Sequence, residues 1–164
     1  MSQQYEVSFR VAEPRAMAAV RARLPIGGVP ARFAHYLNQV YAAARGGTIE
    51  LDGQNIFVYR DVGNADGDVD VEFGVGVTAP FSASGPVRYS RLPVGAVATT
   101  THWGDYAGLG GAHAAVIARC RELARSLTGT RWEVYGHWSD DPIQVRTDVY
   151  YLLEPSASSG GQSR

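Results

Sequence analysis

The spacing of hydrophobic positions changes along the chain, and the changes mark its elements. Residues 5–11 alternate weakly, Glu13-Pro14-Arg15 has turn chemistry, and residues 16–24 continue with small and branched side chains, which predicts a hairpin. From Pro30 the period becomes helical: Phe33, Tyr36, Leu37, Val40, Tyr41 and Ala44 recur at three- and four-residue steps. Pro30 suits a first helical turn, and Gly46-Gly47 can supply a left-handed stop. A short β-rich run follows at 56–60, then an Asn64-Ala65-Asp66-Gly67 turn, then clean alternation over 69–77.

The second half repeats that order. Residues 87–92, a Pro93-Val94-Gly95 turn and residues 96–103 predict another hairpin. Leu109, Ala112, Val116, Cys120, Leu123 and Leu127 mark another helix, closed near Gly129. Strands over 131–138 and 146–153 come last, separated by Ser139-Asp140-Asp141-Pro142. Each half therefore reads strand, strand, helix, strand, strand, and the self-similarity predicts one pseudo-symmetric domain over residues 1–154, with repeats at about 5–78 and 87–153. The Ser/Gly-rich stretch 155–164 has nothing to bury and reads as a disordered tail.

Strand parity assigns the faces. Val69, Val71, Phe73, Val75 and Val77 form an apolar face expected to lie under the helices, while Gly74 and Gly76 on the other face let something approach the backbone closely. If Trp132 and Val134 face the helices, Glu133 and Tyr135 look the other way. The same reasoning puts Val149 and Tyr151 inward, with Asp148 and Tyr150 beside Glu133. The expected architecture is thus α+β, two ββαββ repeats forming antiparallel sheets with helices on one side and a ligand cleft on the other.

Composition narrows the partners. With 15 basic and 16 acidic residues interspersed, net charge −1, no footprint exists for a phosphate backbone, so direct nucleic-acid binding is not expected. Cys120 is the single cysteine and lies on a helical apolar stripe, which excludes an internal disulfide and fits a reducing compartment. No signal peptide or membrane-length apolar run is legible, so a cytoplasmic protein that avoids membranes is expected. His35, His102, His113 and His137 lack metal-ligand spacing, and His113 is expected to pack on its helix. The Asn64–Asp68 run lacks acids at the first and twelfth positions of a calcium loop, and Gly108-Leu109-Gly110-Gly111 lacks a nucleotide-loop context. Neither a metal nor a cofactor is expected.

"HWGDY" (102–106), "WEVY" (132–135), the "DDP" turn (140–142) and "TDVY" (147–150), in this order and spacing, resemble the GyrI-like small-molecule-binding domain, the effector-binding module of bacterial drug-sensing regulators. The resemblance covers roughly residues 5–153. It implies two related strand-helix-strand units about a pseudo-two-fold with a ligand cleft between them. The family's pocket glutamate falls on Glu133 and its paired tyrosine on Tyr135; a further acidic position falls on Asp148, one methylene shorter than the glutamate usual there. Regulators of the family fuse this domain to a helix-turn-helix module; with the strand pattern beginning near Met1, no such module is expected within these residues.

The leading expectation is binding of a small aromatic, cationic or amphipathic molecule for drug sensing or sequestration. Glu133 would be the anion, with Tyr135, Tyr150, Tyr106, Tyr59, Phe57, Asp148 and Trp103 around it. Trp132 and Trp138 fit the core better on parity. Burial would raise the Glu133 pKa, which suits an acid/base as well as a receptor. The alternatives are a hydrolase opening strained, cyclopropane-bearing natural products, with Glu133 and Tyr135 catalytic, and a gyrase-inhibitor-like protein-binding module. A protein partner or a second copy is left open.

Overall fold

The computed structural model describes residues 4–60, 62, 67–137 and 139–155. Among the described residues eight strands form one sheet: β1 (Ser8–Val11), β2 (Ala16–Pro25), β3 (Leu51–Arg60), β4 (Asp68–Val77), β5 (Arg88–Arg91), β6 (Ala96–Trp103), β7 (Leu127–Tyr135) and β8 (Arg146–Leu153). Helix α1 (Val29–Ala44) lies between β2 and β3, and α2 (Leu109–Glu122) between β6 and β7. Every strand pairing is antiparallel, so the class is α+β as expected. No helix among the described residues is long and apolar enough to cross a membrane.

The spatial order is β1-β6-β8-β7-β3-β4-β2-β5. It maps onto itself when the two ββαββ halves are exchanged, with the pseudo-axis between β3 and β7. The expected hairpins do not form. β1 pairs with β6 of the other half, and β5 pairs with β2. Turn residues at 13–15 and 93–95 bend the chain but carry no information about its partner. Here they carry it across the sheet: the Ala12 N–H donates to the Gly95 carbonyl (2.9 Å) and the Leu92 N–H to the Arg15 carbonyl (2.8 Å).

These crossing connectors cover the helix-free face, which is why that face has a core of its own. Met17, Ala19, Ile56, Val58, Leu92, Val97, Trp132 and Val134 are buried there, with Tyr150 packed against them. On the opposite face, α1 buries Leu37 and Val40 against Val20, Phe57, Val71 and Phe73, while α2 buries Ala112, Val116 and Cys120 against Ala98, Val149 and Tyr151. The odd residues of β4 lie under α1, as its alternation predicts.

Two boundaries differ from the periodic reading. Helix α2 ends at Glu122, where Ala124 takes a left-handed conformation (φ 56°), so Leu127 opens β7 and does not extend the helix. Gly129 (φ 96°) then occupies an irregularity in β7 rather than a helix stop. Residues 63–66, Trp138 and the tail from 156 lie outside the described residues.

Candidate functional site

Glu133 stands in the middle of β7, buried to 5% exposure. Its direction is fixed by register. Glu133 pairs with Phe57 of β3 on one side and Val149 of β8 on the other, and directly paired residues share a face. Phe57 and Val149 lie under the helices, so Glu133 does too. This corrects the parity expectation. Trp132 and Val134 face away from the helices beneath the connectors, and with them go Tyr150, whose ring stacks on Trp132 (5.3 Å), and Asp148.

The correction removes three residues from the expected pocket. Asp148 accepts from Thr101 Oγ1 (2.7 Å) and Arg146 Nε (3.0 Å) on the helix-free face. The exposed Trp103 lines a shallow hollow together with Asp148, with the Arg146 guanidinium 5.6 Å from its ring centre. Tyr150 receives a hydrogen bond from Arg10 (3.2 Å). Glu133, Tyr135, Tyr59, Phe57 and Tyr106 do come together, in a cleft of about 430 Å³ between the N-terminal turns of the helices, closed by Val29, Pro30, Phe33 and Leu109. That volume falls within the range of small-molecule sites, roughly 300 to 1,000 Å³.

Three donors converge on the Glu133 carboxylate. Oε1 accepts the hydroxyls of Tyr135 and of Tyr59, the latter at 3.3 Å, and Oε2 lies 2.7 Å from His113 Nε2. Behind the imidazole, Arg131 approaches His113 Nδ1 (2.9 Å) and the Tyr151 hydroxyl (3.3 Å). An arginine only donates, so Nδ1 accepts and Nε2 carries the proton given to Glu133. Arg131 also lies 4.8 Å from the Tyr59 ring centre, a cation–π contact.

Burial pushes the Glu133 pKa up, as expected, but His113, Tyr135 and Arg131 outweigh it and hold the carboxyl below its ordinary value. The site therefore holds a fixed anion. Burial and the neighbouring Glu133 charge push the phenols of Tyr59 and Tyr135 well up, so both stay neutral donors. Alkaline titration of tyrosine absorbance should show these two ionising only when the fold is lost. Full ionisation of every tyrosine while circular dichroism stays native would contradict the network.

The sequence did not reveal His113 as a partner of the carboxylate, nor Arg131 and Tyr151 as the groups that hold His113 from behind. The signal for His113 was its place one turn after Leu109, at the edge of the α2 apolar stripe. His102, in contrast, is structural: its ring bonds the Tyr5 hydroxyl (2.8 Å) and the Asp105 carbonyl (2.8 Å), beside Gly104 at φ 131°, where the strand turns into the helix.

No family model matches the chain, and no curated protein matches it in sequence. Solved structures do share its fold. The EcmrR C-terminal domain aligns at TM-score 0.71 and 18% identity over 93% of this chain and 99% of that one. In an EcmrR–DNA complex the match is 0.74 at 17% identity, spanning 92% of this chain and 57% of that chain. SAV2435 bound to tetraphenylphosphonium aligns at 0.63 and 9% identity, over 92% and 94% of the two chains. A hydrolase from Listeria innocua aligns at 0.53 and 10% identity, over 93% of each. At such identities the likeness is one of fold, shared with small-molecule-binding and regulator-like proteins.

Proposed function

We propose that this chain is a GyrI-like receptor for lipophilic organic cations, sensing or sequestering them in the cleft between α1 and α2. The observation that carries the reading is the buried, ionised Glu133 at the base of an aromatic-walled cleft. A carboxylate in a partly dry site attracts a delocalised cation strongly, and tyrosine faces add ~0.5 to 2 kcal/mol each by cation–π attraction. The ligand of SAV2435, tetraphenylphosphonium, is a cation of this kind.

The hydrolytic reading has less support at this carboxylate. Three of its roughly four acceptor positions are already taken and its pKa is held low, whereas a general base works best with a pKa near the operating pH. Calorimetric titration with tetraphenylphosphonium and with neutral triphenylphosphine oxide tests the proposal. The cation should bind at least about tenfold tighter, a difference of about 1.4 kcal/mol. Equal affinities would refute the receptor reading, and so would turnover of a cyclopropane electrophile beyond one equivalent.

A further inference from the structure

The pseudo-axis that relates the two halves passes through the cleft, yet the chemistry on its two sides is not the same. Phe33 and His113 are each the fifth residue of their helix. Phe57 and Glu133 are each the seventh residue of their strand, and Tyr59 and Tyr135 each the ninth. Both strands carry their irregularity in the same place, between Leu51 and Asn55 in β3 and between Leu127 and Arg131 in β7. The equivalence is therefore one of structure and not only of counting.

At the equivalent positions, one half places His113 Nε2 2.7 Å from Glu133, and the other packs the Phe33 and Phe57 rings 5.6 Å apart. The tyrosine pair keeps the symmetry but serves one side, since both hydroxyls go to Glu133 Oε1. Glu133 is the sole acid lining the cleft among the described residues.

We infer that the cleft is polarised and holds its ligand in one orientation: a single cationic centre at Glu133 and the tyrosine pair, and a flat aromatic body against Phe33 and Phe57. This deepens the receptor reading and rests on it. A symmetric dication of the same length would put its second charge in the phenylalanine half. Among the described residues no carboxylate lines that half, so the hydration that the second charge loses against the buried Phe57 ring is not replaced by a counter-charge, which is costly. A molecule with one charged end has no such cost. The ligand class is accordingly an amphipathic aryl monocation.

The experiment compares three naphthalenes in calorimetric titrations of the intact chain: one with a trimethylammonium group at one end, one with such groups at both ends, and a neutral tert-butyl isostere of the first. The monocation should bind at least about tenfold tighter than the dication, despite carrying less charge. Phe33→Glu, at a helix position that is 37% exposed, puts a carboxylate in the phenylalanine half. It should shift the dication-to-monocation affinity ratio at least about tenfold toward the dication, a gain that misfolding cannot imitate.

If the dication binds as well as the monocation, or if the ratio is unchanged in Phe33→Glu, the polarity is refuted while the receptor reading stands. If the monocation binds no better than its neutral isostere, the receptor reading itself fails, and this inference with it.

Discussion

Replacing Glu133 by Gln should weaken binding of an aromatic monocation roughly 30- to 150-fold, about 2 to 3 kcal/mol, and change binding of its neutral isostere by no more than a few-fold. The substitution is nearly isosteric, and the surroundings can accept it. The amide oxygen can take the proton from His113 Nε2, and the amide nitrogen can donate to the tyrosine hydroxyls now held by Oε1. What is lost is charge. The loss stays near the low end for a buried charge pair because Arg131 already offsets part of the carboxylate's field. Calorimetry on both ligands checks it, and equal losses for both would mean that Glu133 shapes the cleft without acting as its anion.

The same variant has a pH signature. The folded-state pKa of Glu133 lies below its unfolded value, so between the two values the unfolded chain binds more protons than the folded one. Glu133 thus adds stability above the ordinary glutamate pKa of about 4.3, and that stability is lost as pH falls through the lower folded value. Cation binding should fail over the same acidic window. Glu133→Gln should flatten both acid limbs, and urea midpoints collected from neutral to strongly acidic pH would show it.

Legibility in the sequence depended on whether a signal was local. The ββαββ duplication, the periodic stripe of α1 and the bounds of β8 all follow from spacing within a few residues. The shared face of Glu133 and Tyr135 follows from strand period alone. Its direction was not legible, because the sheet buries apolar side chains on both faces. Trp132 looks like a residue under a helix but lies beneath the crossing connectors. Only the register of β7 against β8, a pairing between distant segments, tells Val149 from Tyr150 as the neighbour of Glu133. The exchange of β1 and β5 between halves was hidden for a related reason, since a turn motif names a bend and not a partner. His113 acquires its meaning only when α2 is laid over β7.

The glycines of β4 give the largest effect on stability. Both lie on the helix-free face, and what approaches them is the protein itself. A Cβ at Gly74 would sit 2.6 Å from the Ala18 carbonyl oxygen, 2.8 Å from Met17 Sδ and 3.0 Å from Ala19 Cβ. The sulfur can swing aside, but the carbonyl belongs to β2, hydrogen-bonded to β4 on one side and β5 on the other. β4 is itself held between β2 and β3, so the clash cannot be relieved without disturbing two ladders. Gly74→Ala should therefore destabilise the fold by about 2 to 3 kcal/mol, lowering Tm by roughly 5 to 10 °C for a domain of this size. At Gly76 a Cβ would meet the Asp52 carboxylate at 2.2 Å, but that side chain is partly exposed and can rotate away, giving up its 2.8 Å ion pair with Arg15. Surface pairs contribute little, so Gly76→Ala should cost about 1 kcal/mol or less. Thermal melts of the two variants side by side test the argument. Equal losses, or a Gly74→Ala melt within about 2 °C of the parent, would show that the sheet yields where the register says it cannot. Below its melting point, Gly74→Ala should still bind the monocation as the parent does, because the cleft opens on the opposite face.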